Sequence, residues 1–410
     1  MYSNMYLLVI VALLFSCLEN GASQTTTVAT RLAKDPYKNL EDVLASKVHH
    51  RVVSQYIAKF TQALVKYCPE SINYHWWDVM AMWRRMSKRD APSSDQLMLE
   101  AGVSALRELV SIYENCTVKG FRNMTFTNLG ATGRLGPTSV GKYYDGQDHQ
   151  GKVTLVNGTQ FFTIPVSGLY RIRAAGAAGG CDNGRCHDRS HGAVVAGTFN
   201  LKAGRQLKIL VGQMGGQHRY QSSGGGGGTF VTYADNDPLI VAGGGGGIEK
   251  LNQGQAVCSG TARNEGNRGF GGQAWPGGRN GQGASTADSG NSGGGGGGLL
   301  TDGRSSAQYG GSGNGGEGGK AFVNGGAGGR TKFWPDAQYN TANGGFGGGG
   351  GAYGNGGGAG GGGGYSGGAS GDNVSNSCGG GGGSYNAGTD QTGIDGENEG
   401  HGYVVLTRLE

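Results

Sequence analysis

The spacing of apolar positions divides this chain into stretches of different period. Leu40, Val43, Leu44, Val48, Val52, Tyr56, Phe60 and Leu64 recur at intervals of three and four, the stripe of one long helix. Cys68-Pro69-Glu70 interrupts it, and the stretch from Ile72 to Met86 is dense in large residues such as Trp76, Trp77, Met80 and Trp83. Ser93 with Gln96 has capping-box form and precedes a third apolar face: Leu99, Val103, Leu106, Val110 and Tyr113. Residues 24–118 are therefore expected to form a helical segment of three helices.

Beyond about Phe121 the period shortens to that of strands. Val153–Val156, Phe161–Ile164, Leu169–Arg173, Ala193–Leu201 and Leu207–Val211 are short runs bounded by Gly, Asn, Ser or Pro. Such runs predict an antiparallel sandwich. Thr229–Tyr233 and Leu239–Ala242, joined by Ala234-Asp235-Asn236-Asp237, read as a hairpin. A final strand is expected at Tyr403–Leu406. The expected domain thus runs over 119–410, with the sandwich at 119–223 and 403–407 and a glycine-rich region at 224–402.

Composition complicates that region. The chain holds 89 Gly but only 8 Pro, which excludes collagen in the absence of a strict triplet. Aromatics punctuate the glycine runs (Phe270, Trp275, Phe346, Tyr353, Tyr365, Tyr385), and a flexible linker rarely keeps such anchors. Side-by-side helices of polyglycine-II type, their amides pairing between segments, are expected instead. Glycine loses more conformational freedom on ordering than any other residue, so a collective arrangement tied to a sheet is needed.

At the N-terminus, an apolar run from Tyr6 to Phe15 followed by Gly21, Ala22 and Ser23 has the form of a signal peptide over residues 1–23. The run is too short to span a bilayer, and no later segment is long enough, so no membrane span is expected. Without Cys17, six cysteines remain: Cys68, Cys116, Cys181, Cys186, Cys258 and Cys378. An even number in an exported chain predicts disulfides of several possible connectivities, of which chain order favours 68–116, 181–186 and 258–378. Sequons at Asn115, Asn123, Asn157 and Asn373 fit glycosylation in the secretory route. Lys88-Arg89 ends a basic cluster that is either a solvated helix end or a processing site.

Charge divides the C-terminal region in two. Residues 119–223 hold 13 Lys/Arg against 4 Asp/Glu, a net of +9, and residues 224–400 hold 8 against 13, a net of −5. This dipolar pattern suits a glycosaminoglycan-like polyanion or head-to-tail self-association. Arg171, Arg173, Arg185, Arg189, Lys202, Arg205 and Lys208 are the candidate contacts. Scattered solvated charge is the plainer alternative.

Several motifs look catalytic. Gly364-Tyr365-Ser366-Gly367-Gly368 and Gly290-Asn291-Ser292-Gly293-Gly294 match a nucleophile elbow, but neither follows a strand-like run. Gly319-Lys320 precedes Ala321, so the magnesium-binding hydroxyl of a phosphate loop is missing. His187 and His191, with Asp188 between them, could ligate a metal, but their loop position beside the Cys181/Cys186 pair favours hydrogen bonding to backbone. No enzyme, cofactor, metal or nucleic-acid partner is expected.

The order of the C-terminal segments carries a resemblance. It runs through Gly130-Ala131-Thr132-Gly133-Arg134-Leu135-Gly136-Pro137-Thr138 and Gly168-Leu169-Tyr170-Arg171-Ile172 to Arg189-Ser190-His191-Gly192. Phe199-Asn200-Leu201, Ile209-Leu210-Val211-Gly212-Gln213, Gly344-Gly345-Phe346 and Glu399-Gly400-His401-Gly402 continue it. Over about 121–410 the chain resembles the glycine-rich ectodomain region of the anaplastic lymphoma kinase and leukocyte tyrosine kinase receptors. The resemblance implies a tumour-necrosis-factor-like β-sandwich merged with a polyglycine-II helix bundle, which in those receptors forms a cytokine-binding unit.

With the N-terminal segment added, the expected fold is mixed. The chain departs from the receptors in showing no transmembrane helix, kinase signature or cysteine-rich growth-factor-like module. The family's cytokines are basic, which argues against such a partner for a basic sandwich. The expected function is therefore a secreted, non-catalytic binding or structural protein of matrix, mucus or adhesive type. The alternative is a soluble receptor-like binder or decoy, or a truncated receptor ectodomain.

Overall fold

A computed structural model describes residues 123–409 apart from 183–185, 218–220, 288–289 and 333–341. The strands are β1 (Asn123–Phe126), β2 (Val153–Val156), β3 (Thr159–Thr163), β4 (Gly168–Ala175), β5 (Gly192–Leu201) and β6 (Gln206–Leu210). They continue as β7 (Thr229–Tyr233), β8 (Pro238–Ala242), β9 (Ile248–Glu249), β10 (Ser377–Cys378), β11 (Tyr385–Asn386), β12 (Thr389–Asn398) and β13 (Tyr403–Arg408). One antiparallel sheet has the order β1-β13-β4-β5-β12 and a second the order β11-β8-β7-β6-β3-β2, with β9 and β10 paired separately.

Alternation decides which faces meet. On β4, Tyr170, Ile172 and Ala174 are buried, while Leu169 and Arg173 are exposed and Arg171 is half-buried. Opposite them in register stand Phe199, Gly197 and Val195 of β5, and Leu406 and Val404 of β13. Met124 and Phe126 of β1 extend this apolar face.

The second sheet is buried on both sides at its β7 and β8 strands. Ile209, Val231 and Ile240 lie in one row across β6, β7 and β8 and are fully buried. The next row, Leu210, Phe230, Val241 and Tyr385, faces the other way. It packs on Leu299, Phe322, Phe346 and Tyr365 from the glycine-rich stretches. Those aromatics are the side chains that fasten the glycine runs to the sheet.

The glycine runs themselves bond from segment to segment. Gly225, Gly226, Gly227 and Gly228 donate in turn to the carbonyls of Gly350, Gly245, Gln213 and Gly347. Gly244, Gly245, Gly246 and Gly247 donate to Gly363, Ala177, Cys258 and Gly360. Successive amides therefore turn to different neighbours, which requires backbones to approach without intervening side chains. At Gly295 an added Cβ would lie within 3.0 Å of the Ala284 carbonyl oxygen, and at Gly349 within the same limit of the Gly225 carbonyl oxygen.

The expected mixed fold needs correction. Among the described residues there is no α-helix: beside the strands stand three short 3-10 turns, Ala256–Cys258, Ala307–Tyr309 and Phe322–Asn324. Apart from those three turns the described glycine-rich stretches form no helix, so a helix bundle merged with the sandwich is not what forms there. Their amides are taken up by neighbouring segments and the sheets. The expected helical segment 24–118, the signal peptide 1–23 and Lys88-Arg89 lie outside the described residues. Among the described residues no helix is long and apolar enough to cross a membrane.

Candidate binding surface

The basic residues read from the sequence do not converge. Arg171 and Arg173 share the outer face of the first sheet, as their alternation requires. Arg171 is tied down there: its guanidinium donates to the Asp390 carbonyl at 2.6 Å and the Thr392 hydroxyl at 3.1 Å. Arg173 lies 6.0 Å from the Tyr403 ring. Lys202 and Arg205 are exposed on the β5–β6 turn, with Arg205 stacked 4.4 Å over Tyr233.

Arg189 stands near the opposite end of β4, where Gly179 donates to the Ser190 carbonyl. The length of that strand puts it roughly 25 Å from Lys202. Its guanidinium bonds the Glu399 carbonyl. Lys208 belongs to the second sheet, bonds the Asn236 side chain and lies 5.3 Å over Phe322. Burial lowers its pKa. Arg185 falls outside the described residues. Lys202 and Arg205 thus form one small basic turn, Arg171 and Arg173 share a sheet face, and Arg189 and Lys208 sit apart from both.

Two of the expected disulfides are present, Cys181–Cys186 and Cys258–Cys378. The second lies in a small core with Ile248 and Leu251 and clamps the β9–β10 pair. Cys68, Cys116 and Asn115 lie outside the described residues. Asn123, Asn157 and Asn373 are all exposed, on β1, on the β2–β3 turn and before β10.

The residues with catalytic-looking motifs are engaged structurally. Ser366 is buried and its hydroxyl accepts from the Gly281 amide at 3.2 Å. Ser292 is buried and accepts from Arg304 at 3.3 Å. Lys320 pairs with Asp302 at 2.9 Å. His187 pairs with Asp188 at 2.7 Å, whereas the His191 Nδ1 lies 3.3 Å from the Gly396 carbonyl. Among the described residues no group of three or more His, Cys, Asp or Glu could hold a metal.

His149 and Glu249 are among the buried titratable groups that the sequence did not single out. His149 is fully buried against the rings of Tyr144 and Phe126, at 4.1 and 4.9 Å, and desolvation pulls its pKa down to about 4. Glu249 on β9 is also buried, and desolvation, with Asp182 adding like charge, pushes it up to about 8. Neither stands out in sequence, because burial is set by the fold around them.

No family model matches the chain. Over 95 residues, 22% of this chain, the sequence is 37% identical to the leukocyte tyrosine kinase receptor of Mus musculus. That stretch covers 11% of the receptor's length. The chain is therefore distantly related to that receptor family through one part of its sequence.

Proposed function

We propose that this chain acts outside the cell as a non-catalytic binding scaffold of matrix, mucus or adhesive type. The observation that carries the reading is the packed glycine region, in which neighbouring backbones bond directly and aromatics anchor them to a sheet. Ordering so much glycine is entropically costly, and the return is a stiff platform. The likeness to a receptor and the two disulfides support an extracellular setting. Within this reading the glycine-rich region is of the anaplastic lymphoma kinase and leukocyte tyrosine kinase receptor type. A glycosaminoglycan-like polyanion is a candidate partner, with Lys202 and Arg205 as the most accessible contacts.

Expression in animal cells tests the reading. The protein is expected in the medium, and glycosidase treatment should shift its mobility through Asn123, Asn157 or Asn373. Retention in the cell without a shift would overturn it. The second reading, a receptor-like ligand binder or a truncated receptor ectodomain, is favoured by the matched receptor stretch. A transmembrane helix and kinase reading frame in the downstream genomic sequence would select it.

A further inference from the structure

A cleft of about 550 Å³ opens among the glycine-rich stretches, and Arg263, Arg268 and Arg279 all line it. Glu265 is the carboxylate among the lining residues, so three positive charges meet one negative, a net of +2. This stands within residues 224–400, whose own net charge is −5. Like charges gathered on one cleft repel, and solvent only partly screens them. The arrangement is one that an anionic ligand would relieve.

The three guanidiniums differ in how they are held. Arg263 is oriented by the Thr261 hydroxyl and by Asn267 Oδ1, both at 3.2 Å. Asn267 is itself buried and donates to the Ser259 carbonyl at 2.9 Å. These bonds use two of the five N–H donors of Arg263. Arg279 lies 3.7 Å from Glu265, but both side chains are largely exposed, and such a pair is held weakly. Arg268 is exposed and makes no hydrogen bond or ion pair among the described residues.

The floor is backbone. Gly266 donates to the Gly278 carbonyl at 3.0 Å, and Gly278 to Gly367 at 2.7 Å. The cleft's shape is thereby set before any ligand arrives. Val257, Ala274 and Pro276 add an apolar wall.

We propose that this cleft binds an acidic peptide segment of a partner protein, with carboxylates on Arg268 and Arg279 and an apolar side chain against Val257, Ala274 and Pro276. Exposed guanidinium forks match carboxylates in two-point bonds. The apolar wall has no counterpart in a sulfated sugar chain. Glu265 penalises a densely charged polyanion, while a peptide can place its acids on either side of it. The assignment rests on the scaffold reading and gives that scaffold a partner of defined chemistry.

The test uses the purified full chain and a fluorescein-labelled peptide of Glu-Leu-Glu-Gly repeats, read by anisotropy. Binding is expected, weakening with salt and absent for a Lys-Leu-Lys-Gly peptide. In an Arg268→Ala, Arg279→Ala double variant the Kd should rise about tenfold or more through loss of charge-assisted contacts. The melting temperature should hold, and Arg268→Lys with Arg279→Lys should keep part of the affinity. No binding by wild type, or equal affinity in wild type and the Ala variant, would overturn the proposal. So would a heparin oligosaccharide whose affinity, but not the peptide's, falls in that variant. Because the measurement is made on purified protein, its failure is distinguishable from failure of the extracellular reading, which export alone decides.

Discussion

Glu317 and Arg330 meet in a two-point ion pair, with Nε 2.7 Å from Oε2 and a terminal guanidinium nitrogen 2.9 Å from Oε1. The Arg330 amide adds a third bond to the same carboxylate at 2.8 Å, and Arg134 stands 3.9 Å away. The Glu317 side chain is only 6% exposed. Burial pushes its pKa up, but the bonds from Arg330 and the charges of Arg330 and Arg134 outweigh that and hold it low. Glu317→Gln should cost about 2 kcal/mol, since bonds to charged groups are worth ~1.5–3 kcal/mol and Arg330 is half exposed. Urea melts of the two proteins at neutral pH would measure it, and equal midpoints would show that the pair adds nothing.

The close approach of glycine backbones makes a graded prediction. Gly295→Val and Gly349→Val should each destabilise by about 1–3 kcal/mol or more, because the added atoms meet fixed carbonyls. Gly254 has nothing within 4 Å of an added Cβ, and Gly254→Ala should leave the melting temperature unchanged. Three coincident melting curves would mean that the runs are loosely held.

Stability should depend on pH through two buried groups acting in opposite senses. His149 titrates near 4 when folded and near its ordinary 6.5 when unfolded, so the unfolded chain takes its proton first and stability falls as pH drops from 6.5 to 4. Glu249 titrates near 8 when folded and near 4.5 when unfolded, so stability falls as pH rises from 4.5 to 8. Each slope is about 1.4 kcal/mol per pH unit at most. Between pH 4.5 and 6.5 the two slopes cancel; above that Glu249 acts alone. Glu249→Gln should therefore flatten the curve above 6.5, and His149→Phe should remove the acid-side loss due to this group. Glu317, whose carboxyl is held low, adds stability that is present above pH 4.5 and lost as pH falls further.

Cys258 and Cys378 close a loop with a sequence separation of 120. Replacing both by Ser should cost about 2–5 kcal/mol, mostly by freeing the unfolded chain. Non-reducing peptide mapping should recover the linked peptides, together with Cys181–Cys186. Pairing of Cys258 or Cys378 with Cys68 or Cys116 would contradict the arrangement described.

Much of the sandwich was legible because its strands alternate or are densely β-branched. Val153–Val156 and Thr229–Tyr233 match their predicted bounds, while β4 extends its run by three residues and β5 by one. The strand β12 was missed: Thr389–Asn398 reads TDQTGIDGEN, mostly exposed and without an apolar face, and only its pairing with β5 makes it a strand. The hairpin β7–β8 was predicted, but its membership of the second sheet follows from pairing with β6 and β11, which sequence does not encode locally. The anchoring role of Phe346 and Tyr365 was foreseeable from aromatics inside glycine runs. The basic residues of 119–223 could be counted, but their separation depends on which sheet face each occupies.

The segment-to-segment bonding of the glycine runs has a calorimetric consequence. These runs bury peptide groups in place of methylenes, and exposing polar surface lowers the heat capacity of unfolding where apolar surface raises it. The heat-capacity increment per residue should fall below the ~12–15 cal/mol/K of ordinary domains. A small increment flattens the dependence of free energy on temperature. The scaffold should then hold nearly constant stability over a wide thermal range, with cold denaturation pushed far below freezing.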